Sequence, residues 1–206
     1  MHQKGNMEDF LKILGGFLVG FITSVFAEPL RRWLFKPNVQ MHFGETTDYI
    51  SKTPETRPAI EGKESFGEAI YVRGKVINES AFIARECRVY LTKIEKKQPR
   101  TGQFELTSFS DSIPLKWASQ PLDRVCSPLD LAKGVNQYFD IVVLRDSSNQ
   151  FDPQIYLRPF RDEAIFKDTG VFRFTIQLSG DQGISEKLRL ILEWNGNWED
   201  FKVYQN

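Results

Sequence analysis

The chain has 206 residues with 27 basic and 27 acidic side chains, so its formal net charge of +0 lacks the overall electrostatic footprint of a nucleic-acid binder, and no nucleic-acid partner is expected. Two cysteines and two histidines do not make a disulfide scaffold or a Cys/His metal centre. One stretch near the N-terminus is apolar enough to leave water, and the remainder suits a single domain held by it.

Residues 1–9 are a polar tail. Residues 10–28 contain Ile13-Leu-Gly-Gly-Phe-Leu-Val-Gly-Phe-Ile-Thr-Ser-Val-Phe-Ala27, which predicts one transmembrane helix. From Phe10 to Ala27 a helix would extend about 27 Å at about 1.5 Å per residue, slightly less than a hydrocarbon core of about 30 Å. The run is apolar on every face, which disfavours a soluble core helix. A cleaved export signal is the rival reading, because Val25-Phe26-Ala27 places small residues at cleavage-site positions. Against it, Glu8 and Asp9 stand where such a signal carries positive charge.

Gly16, Gly20 and Ser24 recur every four residues, so one helical face would allow close approach of a second copy, and a homo-oligomer is one expectation. The general abundance of glycine in membrane helices accounts for them equally well. Residues 29–37 predict an interfacial amphipathic collar in which Pro29 restarts the helix and Pro37 ends it. Arg31, Arg32 and Lys36 would meet lipid phosphates, with Trp33 at headgroup depth. These basic residues outweigh Lys4 and Lys12, so the expectation is a single-pass cell-membrane protein with its C-terminal domain in the cytoplasm.

Residues 38–206 predict a β domain. Val39, Met41 and Phe43 alternate in a first strand, whereas 44–67 is polar, contains Pro54 and Pro58, and predicts a mobile loop. Ala69–Ile77 and Ala84–Leu91 then alternate as two strands joined through Asn78-Glu-Ser80. Val76-Ile-Asn78, the following Ala84 and Val89-Tyr-Leu91 resemble the strand–turn–strand signature of bacterial immunoglobulin-like adhesion modules. That resemblance covers mainly residues 69–94 and implies a fold without an activity. The layout of an apolar helix, Pro-Leu-Arg-Arg-Trp and a sandwich is also similar to uncharacterised prokaryotic membrane-anchored proteins.

Further strands are predicted at Asn136–Leu144, Gln154–Arg158, Gly170–Leu178 and Lys187–Trp194. Phe172, Phe174, Ile176 and Leu178 should share an inner face with Leu188, Leu190, Leu192 and Trp194. Asn195-Gly196 marks a hairpin leading to a last strand over Trp198–Tyr204. Seven to eight strands make the fold class all-β, an immunoglobulin-like sandwich.

Little in the sequence carries catalytic chemistry. His42 alternates with inward residues and reads as a surface strand residue, and neither a Gly-x-Ser-x-Gly elbow nor a phosphate-binding loop occurs. Asp146–Asp152 and Gly180–Gly183 lack a calcium-ligand spacing and read as polar turns, so no catalytic residue, metal or cofactor is expected. Cys87 reads as an inward strand residue and Cys126 as a loop residue, two reduced thiols.

Lys93, Lys96, Lys97 and Arg100 form the best local candidate for an anionic ligand, against a plain solvated hairpin tip. Trp117 falls in no clear strand and is either a partner contact or a cap on the core. The leading expectation is a non-enzymatic module that localises a protein partner or ligand at the membrane. The alternative is an effector that senses an anionic signal and oligomerises through its glycine-faced helix to perturb the membrane; an exported envelope scaffold is a third.

Overall fold

A computed structural model describes residues 16, 20, 21, 23–27, 29, 30, 34–59, 62–120, 126–145, 151–153, 165 and 168–206, with no account of the side chains at 55–59, 62–66, 151–153 and 182. The chain forms two units, Met1–Lys36 and Pro37–Asn206, divided at the expected end of the collar. In the first unit every described residue from Gly16 to Leu34 is helical and exposed. Among the described residues no helix is long and apolar enough to cross a membrane. The other positions of the expected span 10–28, together with Arg31, Arg32 and Trp33 of the collar, lie outside the described residues.

The second unit is all-β. Its described residues form twelve strands: β1 Val39–His42, β2 Ile50–Ala59, β3 Gly62–Asn78, β4 Ala84–Lys97, β5 Phe104–Leu106, β6 Ile113–Pro114, β7 Leu129–Leu131, β8 Asn136–Arg145, β9 Phe151–Pro153, β10 Gly170–Gly180, β11 Ile184–Trp194 and β12 Lys202–Gln205. They make two antiparallel sheets, a smaller one ordered β1-β3-β8-β9 with β2 also on β3, and a larger one ordered β12-β11-β10-β4-β5 with β6 and β7 also on β4. The arrangement is sandwich-like, and one apolar cluster draws on both sheets.

The long strands form where the sequence alternates. Phe172, Phe174, Ile176 and Leu178 of β10 are fully buried, as are Leu190 and Leu192 opposite them on β11, and each such side chain contributes about 1.5–3 kcal/mol by leaving water. Gly74 of β3 faces Phe139 of β8, whose ring lies where a side chain would start: a Cβ on Gly74 would stand 2.2 Å from the ring. Only glycine fits beneath that ring.

A short crossing segment joins the sheets. Ile113 and Pro114 pair with β4 and the Leu115 amide donates to Val89; the chain then moves to β8, where the Ala118 amide donates to Tyr138 and the Asp140 amide to Lys116. Ile113, Leu115 and Trp117 point into the core along it. Trp117 is 1% exposed and meets Phe139 edge-to-face at 6.2 Å, so it caps the core and is not an exposed partner contact.

Three expectations change. The stretch 44–67, expected as a mobile loop, contains β2 and the start of β3, paired antiparallel. Its edge pairing rests on backbone hydrogen bonds between polar residues and therefore leaves no apolar period, while Pro54 adjoins the register shift. Twelve strands replace seven or eight, because β5, β6, β7 and β9 are two or three residues long, too short for periodicity to register. After Asn195-Gly196 the chain makes a 3₁₀ turn at Trp198–Asp200, so the last strand begins only at Lys202. The expected strand Gln154–Arg158 and positions 146–150 lie outside the described residues.

Candidate functional site

The candidate site lies on the outer face of the larger sheet, and a single inserted residue creates it. Leu91 and Ile94 are both fully buried although three positions apart, because the register slips so that Thr175 faces Lys93 while Ile176 faces Leu91. Thr92 is the extra residue of this β-bulge, and its hydroxyl donates to the Thr175 carbonyl at 3.1 Å. Beyond the bulge the alternation is inverted. Lys93 and Glu95 therefore face outward beside Arg173 of β10 and Arg189 of β11.

Register then sets the composition of the face. Lys93, Thr175 and Arg189 lie in one cross-strand row, and Glu95, Arg173 and Ile191 in the next. Two strand spacings put the Lys93 and Arg189 backbones about 10 Å apart, with the short Thr175 between them. A long–short–long row leaves a hollow over its middle member. The resulting concavity, of ≈ 370 Å³, is lined by Thr92, Lys93, Glu95, Arg173, Thr175, Lys187 and Arg189.

Its electrostatics are one-sided, with four cations around one carboxylate. Arg173 donates to Glu95 through Nε at 2.7 Å and Nη2 at 2.8 Å, and Lys93 Nζ reaches the same carboxylate at 2.8 Å. Bound by the Arg173 guanidinium, and by Lys93 in addition, the Glu95 carboxyl falls from 4.5 to about 2 despite burial, which acts in the opposite direction. The guanidinium also sits over the Phe104 ring at 4.4 Å, so Arg173 is fixed on two sides. Lys187 and Arg189 are exposed and, among the described residues, have no ion pair or side-chain hydrogen bond.

The sequence-predicted cluster is divided by the fold. Lys93 joins the concavity. Lys96 lies on the inner side at the end of the sheet, over Phe172 at 5.5 Å and bonded to Asp168 at 3.0 Å. Lys97 and Arg100 stay exposed at the β4–β5 hairpin. Arg173, Lys187 and Arg189 escaped sequence reading because they are remote from Lys93 along the chain. The available signal was the break in period at Val89, Leu91 and Ile94, which marks the bulge and assigns the outward face after it.

Other places offer less. A concavity of ≈ 560 Å³ beside Trp194 is lined by Glu193, Asp200 and Lys202 among others, but Glu193 accepts from Tyr204, and Asp200 from Asn195 and Asn197. Both cysteines are free thiols, and burial pushes Cys87 up to about 12, away from nucleophilic use. Among the described residues no group of three or more His, Cys, Asp or Glu is placed to hold a metal ion. No protein-family profile matches the chain, and no characterised protein matches it in sequence.

Proposed function

We propose that this chain is a non-enzymatic, membrane-tethered binding module whose β-sandwich takes an anionic ligand on the outer face of its larger sheet. The observation that carries this reading is the convergence of Lys93, Arg173, Lys187 and Arg189 around Thr175, with Glu95 already satisfied and two of the cations unpaired. Chains without overall charge that gather cations around a hollow present a local anion site and not a nucleic-acid track. The sandwich itself reads as immunoglobulin-like, with Asn78 closing the turn after β3.

The tether is residues 10–28. Phe21, Val25, Phe26, Leu30 and Leu34 are large apolar side chains, all exposed, in keeping with a helix that is covered by lipid. Arg31, Arg32 and Lys36 then hold the sandwich on the cytoplasmic side. Carbonate washing of membranes, together with paired C-terminal reporters active on one side only, tests this. Retention in the pellet with a cytoplasmic signal is expected; release by carbonate, or an exported signal, overturns it.

A second reading, an effector that assembles through its helix, is favoured by the small face of that helix: a Cβ on Gly16 or Gly20 would meet nothing within 4 Å. Replacing both by leucine should abolish self-association in detergent. An unchanged oligomeric state would eliminate this reading and leave the simple tether.

A further inference from the structure

We infer that the hollow over Thr175 binds a phosphate group carrying two negative charges, a phosphomonoester or a terminal diphosphate. The inference rests on the anion-binding reading above and specifies its ligand. Lys93 and Arg189 stand at the two ends of the row, with Arg173 and Lys187 on neighbouring rows, so donors arrive over one floor residue from three strands. A carboxylate presents two oxygens in one plane and is satisfied by a single guanidinium fork, as Glu95 is by Arg173. A phosphate monoester presents three terminal oxygens with tetrahedral spread and suits donors converging from several directions.

The charge balance agrees with this geometry. Glu95 is the one carboxylate in the lining; its Oε1 accepts from Arg173 and Lys93 and its Oε2 from Arg173. Its charge is thus committed before a ligand arrives, and because one carboxylate offsets only one of the four cations, three positive charges stay uncompensated, two of them on Lys187 and Arg189. A dianion offsets two of the three and a monoanion only one, so the doubly charged group is the better complement of the two. Arg173, held by Glu95 and by the Phe104 ring, loses little further freedom on binding. Lys187 and Arg189, exposed and unpaired, are the groups left to close on the ligand. The lining is compact, so the site suits one phosphate-bearing headgroup and not a polymer.

The same chemistry could be presented by a soluble phosphate compound or by a phosphomonoester lipid at the membrane surface. Calorimetry on the full chain in neutral detergent separates them, using inorganic pyrophosphate, short-chain phosphatidic acid, short-chain phosphatidylcholine and citrate as probes. Saturable binding of pyrophosphate, of phosphatidic acid or of both is expected. It should weaken by about tenfold or more when Lys187→Glu and Arg189→Glu are combined, and stay unchanged in Lys97→Glu with Arg100→Glu. Pyrophosphate binding as tight as that of phosphatidic acid identifies a soluble source, and a clear preference for phosphatidic acid over both pyrophosphate and phosphatidylcholine identifies a lipid one. Citrate binding as tightly as the phosphates, with the same dependence on Lys187 and Arg189, overturns the phosphate assignment while leaving the anion reading intact. No saturable binding of any probe, or equal losses in the two double variants, overturns both. Lys187 and Arg189 are exposed, and an unchanged thermal midpoint in their variant separates lost binding from lost fold.

Discussion

Asn78 has no exposure and keeps its place because its whole amide is used: Nδ2 donates to Phe82 and Leu131 carbonyls at 2.6 and 2.8 Å, and Oδ1 accepts from the Ser80 amide and hydroxyl. Asn78→Ala removes a donor from the buried Leu131 carbonyl and the acceptor of the Ser80 amide, and denaturant unfolding should show a loss of about 1–3 kcal/mol. Glu95 is the second residue on which much depends. Its folded pKa lies below its ordinary value of 4.5, so its contribution to stability is complete above about pH 4.5 and is lost as pH falls towards 2. The stability difference between wild type and Glu95→Gln should therefore be full at neutral pH and shrink across that window, as measured by urea titrations at several pH values. Asn78 was legible in the sequence, since the strand ends in Val-x-Asn before a turn. Glu95 was not, because its partner Arg173 becomes a neighbour only through strand pairing.

At the scale of elements, β3 from Ala69 onward, β4, β10 and β11 followed from alternation and β8 from its β-rich composition, and together they supply much of the core. What sequence periodicity missed has physical causes. The β2 edge pairs without an apolar face, the shortest strands hold too few residues to show a period, and Pro114 hid the alternation of Ile113, Leu115 and Trp117. The bulge at Thr92 matters most for the site, because it turns Lys93 and Glu95 outward. Deleting Thr92 restores an unbroken alternation in which Leu91 and Ile94 stay inward and Lys93 and Glu95 stay outward, so the deletion tests that assignment and removes only the bulge and its Thr92–Thr175 hydrogen bond. The expected outcome is cooperative unfolding with a loss of about 0.5–1.5 kcal/mol for that hydrogen bond; loss of cooperative unfolding would contradict the outward assignment of Lys93 and Glu95. Gly74→Ala tests the β3–β8 pairing separately. Its methyl would overlap the Phe139 ring, and thermal unfolding should report a loss of about 1–3 kcal/mol.

For the whole molecule, neutral net charge and a strongly basic hollow are compatible because the 27 acidic side chains equal the 27 basic ones in number, and the excess of cations at the hollow is matched by an excess of carboxylates elsewhere in the chain. An interaction so localised should be salt-sensitive without the steep dependence of a nucleic-acid track. The chain divides at Lys36 and Pro37 into two units, and the proposed residence of the one and recognition by the other each have their own test. The most direct measurement for the central claim is amide chemical-shift mapping of the full chain in detergent during titration with inorganic pyrophosphate. Saturable shifts concentrated at residues 92–95, 173–175 and 187–189 are the predicted result. Shifts confined to 97–100 or to the surroundings of Trp194, or none that saturate, would contradict the assignment of this face as the ligand site.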